Sequence, residues 1–135
     1  MNITVLGAGL VGSAIVEDLT QEIDFCVTAV DVNPAVLQAL TAEIPVRRIC
    51  ADVREPGRVA EVVADADLVI CAVPGYMGFE TLQRIIEAKK NVVDISFFPE
   101  DAFLLDDLAK AQSVTAVVDC GVAPGLSNII AGYVD

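Results

Sequence analysis

The stretch GAGLVG sets Gly7, Gly9 and Gly12 at GxGxxG spacing between the apolar run NITVL and the helix-like run SAIVEDL. Each glycine answers a different physical need. The first permits a tight turn out of a strand, the second lets backbone approach a pyrophosphate, and the third lets helix and strand pack closely. Ala8, Leu10 and Val11 fill the loop, and the helix that opens there offers unpaired N–H groups and the positive end of its dipole to phosphate oxygens. The chemistry implied is anchoring of a dinucleotide. Nineteen positions after Gly12, Asp31 closes the next apolar run, where a carboxylate reaches the ribose hydroxyls of an adenosine. A carboxylate there repels a 2′-phosphate, and the following Val32-Asn33-Pro34 supplies no arginine, so NAD is expected over NADP. Asp31 also suits the simpler role of capping the turn that follows.

Further groups fall at the ends of later apolar runs. Asp52 and Val53, in ADV after the third run, are placed to border an adenine, or Asp52 caps the helix that follows. Ala72, Val73 and Pro74 leave the fourth run toward the nicotinamide end of a bound cofactor, with Tyr76 just beyond them. Asp94 and Ser96 leave the fifth run, and Asp119 through Gly125 leave the sixth. Both exits are expected on one carboxyl edge, forming a common site. Asp94 and Asp119 are either capped by backbone N–H groups or poised beside a cationic amine. The Ser96 hydroxyl caps a turn or meets substrate, Tyr76 supplies a phenol or packs under a loop, and Asn128 bonds locally or to a substrate carboxylate. None of these is a convincing general acid or base, and the chain has no histidine.

Such groups need strands to carry them, and β-type runs alternate with helix-period segments through six rounds. Strands are expected at 3–6, 26–30, 46–50, 68–73, 92–95 and 114–119. Helices are expected at 10–20, 34–41, 56–64, 78–88 and 99–111, with a last one opening around Gly125. This exchange predicts an α/β, doubly wound, mainly parallel six-stranded sheet of Rossmann type with helices on both faces. Asn33 before Pro34 and Glu55 before Pro56 supply a cap followed by proline at the first helical position. No linker composition divides residues 1–135, which read as one domain. The stretch LSNIIAGYVD has helical spacing without a C-cap, the expectation for a segment of something longer.

Composition narrows the chemistry. At 135 residues and 55% hydrophobic, the chain can bury a substantial core. A formal net charge of −12 disfavours nucleic acid as a partner. Apolar runs stay far short of the roughly 20 residues that span a bilayer, and no leader pattern opens the sequence, so a cytoplasmic location is expected. Cys26, Cys50, Cys71 and Cys120 lack metal-ligand spacing and read as small core residues, with no metal site expected.

The stretches VPGYMGF, DISFFPE and GVAPGLSN, together with the glycine loop and Asp31, resemble the saccharopine dehydrogenase family, most closely its lysine 6-dehydrogenase-like branch. The resemblance implies an NAD(P)-dependent oxidoreductase acting on an amino-acid C–N bond, with hydride passing to the nicotinamide and the imine hydrolysed or cyclised. It also implies a second α/β domain that completes the substrate pocket and the surface of a homodimer. In saccharopine reductases an aspartate precedes the Pro-Gly pair; Ala123 stands there in this chain, which favours the lysine-dehydrogenase-like branch. Gly121, in the turn that leaves the sixth run, is expected beside substrate at that common edge. A reading from another class stays open at this point: an NAD-binding regulatory domain of a potassium-uptake system, which also carries a glycine loop, an aspartate after strand two and an Asp-containing turn after strand three.

Overall fold

The computed structural model describes residues 1–40 and 44–134. Six strands, β1 (Asn2–Leu6), β2 (Cys26–Asp31), β3 (Val46–Cys50), β4 (Leu68–Cys71), β5 (Asn91–Asp94) and β6 (Ala116–Val117), form one sheet in the order β3-β2-β1-β4-β5-β6. Every pairing is parallel, so each crossover carries a helix or helical turn across a face. The helices are α1 (Leu10–Leu19), α2 (Pro34–Ala39), α3 (Arg58–Val62), α4 (Gly75–Glu87), α5 (Asp106–Gln112) and α6 (Leu126–Val134). Chain direction reverses its sideways progress between β1 and β4, which creates a crevice at their carboxyl ends.

Period-two alternation splits the core into two layers. Ile3, Val5, Val27, Ala29 and Ile70 pack with Val16 of α1 and Leu37 of α2. Leu6, Val30, Val69, Cys71 and Val92 pack on the other face with Val59 of α3 and with Leu82, Ile85 and Ile86 of α4. Arg48 of β3 ties this edge to α2 by donating from Nε to the Leu37 carbonyl at 3.0 Å and from Nη2 to that of Leu40 at 3.1 Å, which satisfies carbonyls the short helix leaves open.

Several boundaries differ from the pattern-based expectation for identifiable reasons. α4 opens three residues earlier than expected, directly after Pro74, whose missing N–H costs nothing at a helix start. α3 opens later, because Gly57 at φ 77° forms a turn first. The segment expected as helix from Pro99 begins instead with the Asp101 carboxylate accepting the Phe103 N–H at 2.9 Å, a cap that starts a 3-10 turn over Ala102–Leu105 ahead of α5. β6 keeps only two ladder residues because the chain bends away at Asp119, where φ is 59°. The expected end of α2 at Thr41 lies outside the described residues. No described helix is long and apolar enough to cross a membrane.

Candidate dinucleotide site

The three glycines of the first loop divide their tasks sharply. Gly7 has φ +90°, and a Cβ there would stand 2.5 Å from the Ala72 carbonyl oxygen of the neighbouring strand exit. A Cβ on Gly12 would lie 2.0 Å from the Gly7 carbonyl oxygen, so α1 can approach β1 only without a side chain at that point. Gly9 is different: its φ of −64° suits any residue, and a Cβ there would meet nothing within 4 Å. What glycine provides at position 9 is space in front of the helix opening. The first bond closed by α1 is from the Ser13 N–H to the Gly9 carbonyl, at 2.8 Å, so the N–H groups of Gly9 through Gly12 have no acceptor within the helix. An open space facing such donors, flanked by exposed Leu10 and Val11, fits a pyrophosphate.

Asp31 lies at the end of β2 and bridges two backbones. Its Oδ2 accepts the Ala8 N–H at 2.8 Å, and its Oδ1 accepts the Asn33 N–H at 2.8 Å. Asp31 therefore takes the capping role expected for it at the turn after β2 and also fixes the glycine loop, a bond the sequence pattern did not announce. Gly7, Asp31, Val32, Asp52, Val53, Val73 and Pro74 converge on one crevice of about 160 Å³, and Ala8, Gly9 and Leu10 line a separate groove between α1 and α2. Tyr76, 80% exposed, opens onto the same crevice as Asp31 and Asp52 and does not join the strand exits of β5 and β6.

Arg54, which the sequence reading did not single out, lines this crevice as well. Its Nη2 donates to Asp52 Oδ2 at 2.7 Å and its Nε to Oδ1 at 3.0 Å, while its own backbone N–H donates to Oδ1 at 2.9 Å. These bonds from Arg54 hold the Asp52 carboxyl down at about 2, so it stays ionised at any ordinary pH. The signal available in the sequence was only the D-x-R spacing, which is common at turns.

The exits of β5 and β6 do meet. Ile95, Ser96 and Phe97 face Asp119, Gly121 and Pro124 across a small cleft, and the Cys120 N–H reaches the Asp94 carbonyl at 3.5 Å. Within it, Asp94 and Ser96 are engaged with each other. Asp94 is fully buried, and its Oδ1 accepts both the Ser96 N–H at 2.7 Å and the Ser96 hydroxyl at 2.6 Å. Gly78 of α4 closes over the hydroxyl, where a Cβ would stand 2.3 Å from Ser96 Oγ. Asp94 Oδ2 has no hydrogen-bond partner, and the residue paired with Asp94 on the neighbouring strand is the buried Cys71. Asn128 Oδ1 turns inward on its own loop, accepting from the Gly125 N–H at 3.4 Å and from the Ser127 hydroxyl at 3.2 Å.

Burial raises the Asp94 carboxyl above its ordinary value, against the lowering effect of the Ser96 bonds. The folded protein therefore holds this proton more tightly than the unfolded chain, and the stability so gained is present below the ordinary carboxylate range and declines as pH rises through the raised value. Asp94→Asn keeps an acceptor for Ser96 but cannot ionise. Urea denaturation is expected to show the variant gaining on the wild type as pH is raised from about 4 to 7. A stability difference independent of pH would contradict the assignment.

Comparison with known proteins gives a consistent result. Residues 3–117 match the family model described as saccharopine dehydrogenase NADP binding domain. The saccharopine dehydrogenase (NADP(+), L-glutamate-forming) of Saccharomyces cerevisiae is 28% identical over 131 residues, which are 96% of this chain and 29% of that protein. The enzyme of the same name from Pyricularia oryzae is 30% identical over 83 residues, 62% of this chain and 18% of the relative. Among solved structures, apo saccharopine dehydrogenase (L-Glu forming) from S. cerevisiae superposes with a TM-score of 0.86 at 26% identity, covering 96% of this chain and 29% of that one. GenD2 from gentamicin A biosynthesis, in complex with NAD, shares the fold at a TM-score of 0.69 and 20% identity, over 87% of this chain and 34% of its own. The chain thus spans 29% of the length of the yeast relative. These matches do not favour the regulatory-domain reading.

Proposed function

The chain belongs to the saccharopine dehydrogenase family, and on that premise we propose that it is the cofactor-binding part of a longer NAD-dependent oxidoreductase acting on an amino-acid C–N bond, of the lysine 6-dehydrogenase kind. The observation that carries this reading is the open space at Gly9 in front of unpaired helix amides, with Asp31 braced beside it. Relatives are named for NADP(+); NAD is proposed for this chain because a carboxylate stands where the adenosine ribose would lie.

In this reading, the amides of Gly9 through Gly12 hold the diphosphate, and Asp31 accepts from the ribose hydroxyls with lone pairs its two backbone bonds leave available. Asp52 and Val53 border the adenine. Ala72, Val73 and Pro74 line the path toward the cleft between the β5 and β6 exits, where Gly121 gives backbone close access to an amino-acid substrate. When bound, the nicotinamide supplies the hydride acceptor; the chain's part is to orient that ring and exclude water. Asp94 and Ser96 hold the floor of the cleft. We assign no catalytic residue here: the raised carboxyl of Asp94 is sealed beneath α4, so proton acceptance falls to water or to a group of the remaining protein. As a complete protein it would act as a cytoplasmic homodimer on a small-molecule substrate.

The test is a panel of amino acids with NAD and with NADP, offered to the full-length protein and to the 135-residue chain, with NADH formation and product masses as readouts. Lysine oxidation by the full-length protein is expected, with none detectable from the chain alone, because substrate orientation needs groups it lacks. Turnover by the chain alone, or no amino-acid oxidation by the full-length protein, would contradict the proposal.

A further inference from the structure

The crevice proposed for the adenosine holds three charged side chains. Among the described residues that line it, Arg54 is the one cation, against two carboxylates, Asp31 and Asp52. The guanidinium is paired with one of them: Nε and Nη2 both bond Asp52, at 3.0 and 2.7 Å. Asp52 has in turn spent its charge on Arg54, since the Arg54 side chain and backbone N–H supply the hydrogen bonds its oxygens accept. The crevice therefore keeps a net negative charge from Asp31 and holds a neutralised arginine beside it.

The frame beneath this fork is fixed independently. Arg84, projecting from α4, donates from Nη1 to the carbonyls of Val53 and Arg54 at 2.8 and 3.0 Å. The backbone carrying Asp52 and Arg54 is thus anchored to a core-packed helix by bonds that involve neither side chain of the fork. Asp52→Asn leaves this anchor in place and keeps an Oδ1 acceptor for the Arg54 backbone N–H, while removing the charge that holds the guanidinium.

We propose that the Asp52–Arg54 fork is a selectivity latch: Asp52 holds the guanidinium away from a phosphate on the adenosine 2′ position, and freeing Arg54 turns the same crevice toward NADP. This rests on the dinucleotide reading of the site. A planar guanidinium is well matched to phosphate, and an exposed one swings on a flexible stem, so the obstacle to NADP is the partner it already has. Asp31 sets the baseline preference and the latch sets how far it can be relaxed.

Isothermal titration of NAD and NADP into wild type, Asp52→Asn, Arg54→Gln and the double variant tests this, with circular dichroism to confirm folding. In Asp52→Asn the NADP-to-NAD affinity ratio is expected to rise about tenfold, with steeper salt dependence of NADP binding. In the double variant the ratio is expected to return to the wild-type value. Arg54→Gln alone is expected to lower the ratio, because it leaves Asp52 without its partner and the crevice with two uncompensated carboxylates. An unmoved ratio in Asp52→Asn, a rise that persists in the double variant, or a rise of the ratio in Arg54→Gln alone would each overturn the latch while leaving the dinucleotide reading of the site standing. Failure of wild type to bind NAD would instead remove the underlying site reading, and the latch with it.

Discussion

Gly9→Val is expected to weaken dinucleotide binding by more than about 100-fold while leaving the fold nearly as stable as before. The effect is steric and local. A Cβ at position 9 meets nothing within 4 Å beyond its chain neighbours, and the backbone there is in an extended conformation open to any residue, so the protein itself has little reason to object. The loss of glycine from the position before α1 costs only about 1 kcal/mol or less. Yet the new methyl groups fill the space through which phosphate oxygens would approach the free amides of the first turn. Gly12→Ala should behave in the opposite sense. Its Cβ would stand 2.0 Å from the Gly7 carbonyl, so α1 must shift off β1 at a cost of about 1–3 kcal/mol or more. Calorimetric titration with NAD and urea denaturation separate the two. A Gly9→Val protein that binds NAD like the wild type would show that no phosphate enters at that opening.

Asp31→Ala is the second large effect, and it acts on both stability and selectivity. Its carboxylate joins the glycine loop to the turn after β2 through the Ala8 and Asn33 N–H groups, both at 2.8 Å. Removing a charged acceptor from two backbone donors is expected to cost about 2 kcal/mol in unfolding. NAD affinity should fall about tenfold or more, through lost ribose bonds and a loosened loop, while NADP falls less because repulsion of its 2′-phosphate disappears. Loosening of the loop alone would weaken both cofactors in parallel. The ratio of the two affinities therefore reports the ribose role, and an unchanged ratio would remove Asp31 from it.

Much of the site was readable from sequence because its requirements are local. The turn at Gly7, the close packing at Gly12 and the space at Gly9 each follow from a single backbone position, and alternation of strand and helix patterns places them at a carboxyl edge. Asp31 was legible for the same reason. The hidden features depend on geometry that periodicity does not carry. Arg84 reaches back 30 residues to the Arg54 carbonyl, and Asp94 meets Cys71 only because β4 and β5 pair in that register. Ser96, which suited either substrate or cap from sequence, lies against Asp94 because Gly78 lets α4 descend onto it. Arg54 escaped notice because a cation two residues past an acid within a loop has no distinctive spacing; only the folded crevice sets it opposite Asp31.

The central claim is that a dinucleotide's diphosphate sits on the amides that open α1. An amide-resolved NMR titration of the 135-residue chain with NAD tests it most directly. The result expected is saturable shifts largest at the N–H groups of Gly9, Leu10, Val11 and Gly12, with smaller ones at Val32 and Val53. Resonances of those four amides that stay unmoved at millimolar NAD, while others shift or none do, would contradict it.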